Sequence, residues 1–334
     1  MKLPSVIYSE EIPDLGSGMF RAEVINGLRT QPRRIAPKFF YDRRGSELFE
    51  AICQQPEYYL TRTELKILKD RAREVARLIG KGCMLIEFGS GASRKVRLLL
   101  EVLRPHAYLG IDISRNFLLE STRKLARDYP WLEVHAACAD LCGPLTFSSL
   151  PKEAPRLGFY PGSSIGNFEP SEARRFLSHL RTVLGPEGAL LIGVDLKKDA
   201  QILHAAYNDA NGVTALFNLN LLVRMQRELE ASVNINAFRH QAFYNEQEGR
   251  IEMHLRSMRP QYLRLDDINF EFSGGESIHT ENSYKYSLDE FQSLARDAGY
   301  EAIKTWIDSE QLFSVHFLKI RNQRQTRSQD SGQF

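Results

Sequence analysis

CMLIEFGSGASRKVRLLL, residues 83–100, is the stretch on which the fold turns. CMLIEF (83–88) reads as a strand buried within a sheet, and it runs directly into Gly89-Ser90-Gly91. A helix is expected over Ser93–Leu103. A glycine turn between a strand and a helix is a place where bare backbone can approach a ligand.

Outward from this unit the rhythm repeats. AYLGID (107–112) reads as a strand, 114–129 as a helix, and LEVHAA (132–137) as a strand ending at Asp140. Strands follow at 157–160 and 188–195, with a helix over Ser171–Leu184 between them. The alternation predicts an α/β fold with a parallel, doubly wound sheet. From about 197 to 285 the pattern breaks into helices at Lys198–Tyr207 and Val213–Glu230, then into alternating strands in RIEMHLRSM and QYLRLDDINFEF. That segment reads as an insertion outside the wound sheet. A helix at 287–299 and two strands joined at Ser309–Glu310 then close the sheet as a hairpin. Towards the N-terminus a helix is expected around Met19–Arg29. Thr61 and Glu64 have the spacing of a capping box ahead of the periodic run Leu65, Leu68, Ala72, Val75. The polar tail 321–334 is expected to be disordered.

The composition is that of a globular chain with room for two domains: 334 residues, 43% hydrophobic and 26% charged. A net charge of +2 leaves no electrostatic footprint for nucleic acid or an anionic membrane, so the expected partner is a small molecule. Cys53, Cys83, Cys138 and Cys142 do not make a disulfide framework, and the eight histidines contain no HxH or HxxxH pair, so no metal is expected. The opening MKLPSVIYSEEIPDLG lacks the apolar run of a signal peptide, and GALLIGV (188–194) is far short of the ~18 apolar residues of a membrane span. The reading is a soluble cytoplasmic chain, expected as a monomer.

Asp112 closes the second strand, where a carboxylate can accept from both ribose hydroxyls, and Asp140 follows the third, where it could meet an adenine amino group. Either a dinucleotide or S-adenosylmethionine suits this order. The run Gly89-Ser90-Gly91-Ala92-Ser93-Arg94 lacks the third glycine of the dinucleotide fingerprint, and the closing hairpin is usual in class I methyltransferases. S-adenosylmethionine is the better ligand.

Several segments together resemble the ergothioneine-pathway L-histidine Nα-methyltransferases. They are KFFYDRRGSELFEAICQQPEYYLTRTE (38–64), EFGSGASRKVRLLL (87–100), GSSIGNFEP (162–170), VDLKKDAQILHAAYND (194–209), GVTALFNLNLL (212–222), RIEMHL (250–255) and TENSYKY (280–286). The resemblance spans about residues 35–320 and implies a Rossmann-like seven-stranded methyltransferase core at 61–196 and 286–320. It implies a second, α+β substrate-binding domain from 197–285, joined by the N-terminal segment 1–60. The implied activity is trimethylation of the α-amine of L-histidine to hercynine. Other readings are the same fold acting on another amino acid such as tryptophan, a non-catalytic S-adenosylmethionine-binding regulator, or a nicotinamide dehydrogenase.

Residue by residue, the resemblance assigns Gly89, Lys95, Asp112, Asp140 and Leu141 to the cofactor. It assigns Tyr58, Asn167, Tyr207, Glu281 and Ser283 to histidine, with Tyr41, Phe49, Gly162 and Met253 lining the same cavity and Asn282 among the substrate residues. Asn282 and Ser164 depart from the family pattern. Methyl transfer to an amine needs orientation and a neutral nucleophile rather than a strong base. Asn167, with donor and acceptor on one amide, suits the amine and carboxylate. Tyr41 could reach the amine directly or through water, and Tyr207 can donate to the carboxylate. Glu281 and Ser283, two apart on an extended segment, project from one face and can read the imidazole, with Tyr58 adding a polar contact.

Overall fold

The structure is a computed structural model in which residues 5–6, 17–141, 143, 145 and 154–321 are described. Cys142 and the expected tail beyond Arg321 lie outside them. The first elements in chain order are β1 (Ser5–Val6), α1 (Ser17–Arg29), β2 (Arg33–Arg34), α2 (Arg43–Ile52) and α3 (Tyr59–Ile79). The wound unit follows: β3 (Met84–Phe88), α4 (Val96–Leu103), β4 (Ala107–Asp112), α5 (Arg115–Asp128), β5 (Glu133–Cys138), β6 (Arg156–Tyr160), α6 (Pro170–Leu184) and β7 (Ala189–Asp195). Next come α7 (Ala200–Tyr207), α8 (Val213–Leu229), β8 (Phe238–Asn245), β9 (Arg250–Ser257), β10 (Gln261–Leu265), β11 (Ile268–Phe272) and β12 (Ser277–Tyr284). The last elements are α9 (Leu288–Asp297), β13 (Tyr300–Ile307) and β14 (Phe313–Ile320).

The large sheet has the order β1-β5-β4-β3-β6-β7-β14-β13, parallel except for the closing hairpin. It is the class I methyltransferase sheet with one strand more than expected. The eighth, β1, pairs in parallel with β5 through Ser5 and Val6 alone. Two residues of backbone pairing leave no side-chain period to read, which is why the sequence shows only irregular chain there. Strand alternation divides the core in two. Leu85, Tyr108, Leu157 and Leu191 pack on the side of α3 and α4, against Leu68 and Leu99. Met84, Ile86, Leu109 and Leu190 pack on the side of α6 and α9, against Leu180 and Phe291. Each such side chain contributes about 1.5–3 kcal/mol by burial.

A backbone bridge between Leu196 and Tyr286 marks where the chain leaves the large sheet and returns to it. Between them lies a second sheet, β2-β12-β9-β8, and the β10-β11 hairpin. Strands β8 and β12 were not singled out as strands from the sequence, although TENSYKY was read as extended. In β12 the pairing with β9 slips between His279 and Glu281, leaving Thr280 as a bulge. Thr280 Oγ1 donates to Asn218 Oδ1 at 2.9 Å and to the Met253 carbonyl at 3.0 Å. His279 pairs with His254 on one face, while Glu281 pairs with Met253 and faces the other way.

The Thr61–Glu64 capping box does not form. Helix α3 starts at Tyr59, and Glu64 lies inside it, fully buried. Its carboxylate is taken by Lys95 and by the Gly162 N–H instead. Capping boxes do form at α6, from Glu169 and Glu172, and at α9, from Ser287 and Glu290. Among the described residues no helix is long and apolar enough to cross a membrane.

Candidate active site

Beyond the C-terminal ends of β3, β4 and β6 lies a cavity of about 450 Å³. Gly89 and Gly91 border it, with φ of +71° and +48° that side chains rarely tolerate. Asp112 ends β4 and is oriented by two backbone donors: Gly91 N–H reaches Oδ2 and Ser114 N–H reaches Oδ1, each at 2.9 Å. Burial raises its carboxyl above the usual range, and these backbone bonds oppose the rise. Asp140 and Leu141 line the same cavity, and Lys38 from the N-terminal segment reaches Asp140 Oδ2 at 3.0 Å. Glu87 sits at the wall, where burial pushes its carboxyl up to about 8 although Tyr108 donates to it at 2.6 Å.

Lys95 lines this cavity from the start of α4 and is held at 2.6 Å by Glu64. Burial disfavours its charge, but the Glu64 carboxylate more than offsets that and raises the pKa. Glu64 also accepts from Gly162 N–H at 2.9 and 3.0 Å. Gly162 has φ +83°, and a Cβ there would lie 3.3 Å from Lys95 Nζ. At Gly193 a Cβ would meet Glu64 Oε1 at 2.0 Å, so the carboxylate fits only against a glycine.

A second, narrow cavity of about 40 Å³ shares Tyr41, Phe49, Gly162, Ser164 and Asn167 with the first. Tyr58, Tyr207, Met253, Glu281 and Ser283 complete the set of expected lining residues. Tyr58 caps α3, Tyr207 ends α7, and Asn167 ends a short turn of 3₁₀ helix over Ser164–Asn167. No described residue hydrogen-bonds the Asn167 amide. The rings form a wall: Tyr41 to Phe49 is 5.8 Å edge-on, and Phe49 to Tyr58 is 6.4 Å. Glu281 is half-buried with no hydrogen-bond partner for its side chain among the described residues, and burial pushes its carboxyl up to about 7, with Lys285 pulling it down.

Asn282 does not join this cavity. Strand alternation turns it to the opposite face from Glu281 and Ser283, and its Nδ2 donates to Glu169 Oε1 at 3.0 Å. The Tyr207 hydroxyl, expected to serve a carboxylate, here donates to Ser283 Oγ at 2.7 Å.

A model of the family described as histidine-specific methyltransferase, SAM-dependent, matches residues 20–320. The chain belongs to that family. It is 40% identical over 301 residues to the histidine N-alpha-methyltransferase of Mycobacterium tuberculosis (strain CDC 1551 / Oshkosh), covering 88% of this chain and 93% of that protein. It is 38% identical to the protein of the same name from Mycolicibacterium smegmatis, again over 88% of this chain and 93% of the relative. Ergothioneine biosynthesis protein 1 of Neurospora crassa is 34% identical over 86% of this chain, which spans 33% of that longer protein.

S-adenosylmethionine is the family's cofactor, and the larger cavity fits it. The backbone at Gly89–Gly91 is bare, and the Asp112 carboxylate is fixed by one donor on each oxygen with lone pairs to spare. The narrow cavity has further neighbours that the sequence reading passed over. Phe217 of α8 joins the aromatic wall, 5.8 Å from Tyr41 and 6.1 Å from Phe49. Lys285 is fully buried behind Ser283, and Asp195 behind Lys285. The signal for Lys285 was present in the sequence: 281, 283 and 285 share a face of any regular strand. For Phe217, helical neighbours of similar apolarity concealed it.

Elsewhere, Glu252, His254 and His279 gather on the outer face of the second sheet. Arg250 already bonds Glu252 at 2.8 and 2.9 Å, and the two imidazoles stack at 4.6 Å, so the cluster is a satisfied polar network.

Proposed function

We propose that this protein transfers three methyl groups from S-adenosylmethionine to the α-amine of L-histidine, giving hercynine, in the cytoplasm. One observation carries the reading. Asn167, Glu281 and Ser283 converge on a narrow aromatic cavity that shares a wall with the cofactor cavity. We further propose that the working units are 61–196 with 286–320 for the cofactor, and 1–60 with 197–285 for the substrate. The balance of +2 gives no basic excess for nucleic acid or an anionic membrane, in keeping with a small-molecule partner, and we propose that the chain acts as a monomer.

When bound, S-adenosylmethionine supplies an electrophilic methyl on a sulfonium, open to in-line attack by a neutral amine. The chain's part is to place that amine. The Asn167 amide offers a donor to the carboxylate and an acceptor to the amine. Tyr41 faces the same space with no partner for its hydroxyl among the described residues, and burial holds its pKa well above 10, so it stays a neutral phenol. Glu281 accepts an imidazole N–H, and Ser283 engages the other ring nitrogen. Well-placed reactants gain about 7–11 kcal/mol without any strong base. A time course with histidine, read by mass and by fragmentation, tests the reading. One, two and then three methyls on the α-nitrogen are expected, with no fourth. Methylation on the ring, or none, would overturn it.

A further inference from the structure

Ser283 has neighbours that decide which way its hydroxyl proton points. Lys285, two residues on, is buried with a side chain of 0% exposure. Its ammonium has three hydrogens, and each has a partner: Asp195 Oδ2 at 2.8 Å, Tyr207 Oη at 3.0 Å and Ser283 Oγ at 2.7 Å. Tyr207 in turn donates its own proton to Ser283 Oγ at 2.7 Å. A serine oxygen has two lone pairs and one hydrogen. Both lone pairs are taken, by Lys285 and Tyr207. What is left is the O–H, and Ser283 lines the narrow cavity.

The anchor of this arrangement is equally fixed. Asp195 is fully buried at the end of β7 and receives Tyr59 at 2.7 Å and Lys198 at 2.6 Å besides Lys285. Lys285 therefore cannot swing away without leaving a buried carboxylate short of a partner, a costly state. The chain Asp195–Lys285–Ser283 runs from the wound sheet into β12 and ends at the cavity.

We propose that Lys285 is a specificity-positioning residue: by filling the acceptor sites of Ser283 together with Tyr207, it makes Ser283 a donor only, facing the ionised Glu281 as an acceptor only. This rests on the histidine reading above and sharpens it. Such a pair accepts a ring with one N–H and one bare nitrogen, which is a neutral imidazole in a single tautomer. Indole and pyrrole have the N–H but no bare nitrogen, and they would leave the Ser283 proton unpaired. Thiazole has the bare nitrogen but no N–H, and it would leave Glu281 unpaired.

The test uses the full-length protein with histidine, pyrrolylalanine (N–H only) and thiazolylalanine (bare nitrogen only). Wild type is expected to prefer histidine over pyrrolylalanine by at least about 100-fold in kcat/KM. In Lys285→Met the Ser283 proton can turn back to Tyr207, so this preference should narrow by about tenfold or more. KM for histidine should rise, with kcat changed by less than about threefold. In the Lys285→Met/Ser283→Ala double variant the loss should match that of Ser283→Ala alone, because Lys285 acts through Ser283. If the two losses multiply, or if Lys285→Met slows histidine and pyrrolylalanine by one common factor, Lys285 is merely structural. Should Lys285→Met fail to fold, Ser283→Ala still decides. A donor serine predicts that discrimination against pyrrolylalanine collapses, whereas collapse of discrimination against thiazolylalanine would overturn the proposal. A wild type inactive on histidine would instead sink the functional reading itself.

Discussion

Glu64 Oε2 lies 2.6 Å from Lys95 Nζ, and the same carboxylate holds the Gly162 N–H. Lys95 faces the cofactor cavity and Gly162 borders both cavities, so one buried acid on α3 ties the two walls together. With side-chain exposures of 1% and 19%, the pair is shielded from water and salt. Glu64→Leu should leave a buried ammonium and a buried N–H without partners, at a cost of about 3–5 kcal/mol in denaturant unfolding. Glu64→Gln, which keeps an acceptor, should lose less. A Glu64→Leu protein as stable as wild type would contradict this account of the pair.

The proposed cofactor site turns on Asp112. Asp112→Ala should remove two ribose hydrogen bonds to a carboxylate, each worth about 1.5–3 kcal/mol, and weaken S-adenosylhomocysteine binding at least tenfold by calorimetry. Unchanged affinity in a folded variant would take the ribose away from this residue.

The wound sheet was legible because its strands are continuous apolar runs between glycine turns, a pattern set by burial on both faces. Asp112 and Asp140 sit at or just past strand ends where that pattern places them, whereas Lys95 and Asn167 were named through the family resemblance alone. Glu64 was misread because a capping box and a buried ion pair share one local spacing, and only Lys95, 31 residues away, distinguishes them. Asn282 was misplaced although alternation forbids it from sharing a face with Glu281 and Ser283. The Thr280 bulge, which sends His279 and Glu281 to opposite faces, depends on its partner β9 and has no local signal.

Histidine selection should depend on pH through Glu281, whose carboxyl is raised to about 7 by burial. Below that pH it carries a proton, and the imidazole N–H meets a neutral and weaker acceptor in place of a carboxylate. KM for histidine should therefore rise as pH falls from 8 to 6. Free imidazole titrates in part of this range too, near ~6.5. Glu281→Gln should lose only the Glu281 component. Parallel KM–pH curves for the two proteins would remove Glu281 from the binding step.

Substrate choice should shift when Glu281 is truncated. Glu281→Ala leaves a larger and less polar cavity beside Met253, so activity on histidine should fall while tryptophan and phenylalanine become relatively better substrates. Relative rates across amino acids that match wild type would show that Glu281 does not read the side chain.

The aromatic wall should retain partly methylated amines. Each methyl removes an N–H for Asn167 to hold and makes the ammonium more weakly hydrated, which favours ring faces by about 0.5–2 kcal/mol. Tyr41→Ala and Phe49→Ala should leave more mono- and dimethylhistidine at partial conversion. A wild-type distribution of intermediates, merely slowed, would exclude this role.

The central claim is that one cavity selects histidine for α-nitrogen methylation, and competition tests it most directly. The protein is incubated with methyl-labelled S-adenosylmethionine and an equimolar mixture of the twenty amino acids, and every product is read by mass. The account predicts label on histidine, accumulating as the trimethylated product while the other amino acids stay unlabelled. Label accumulating on a different amino acid, or on none, would contradict it.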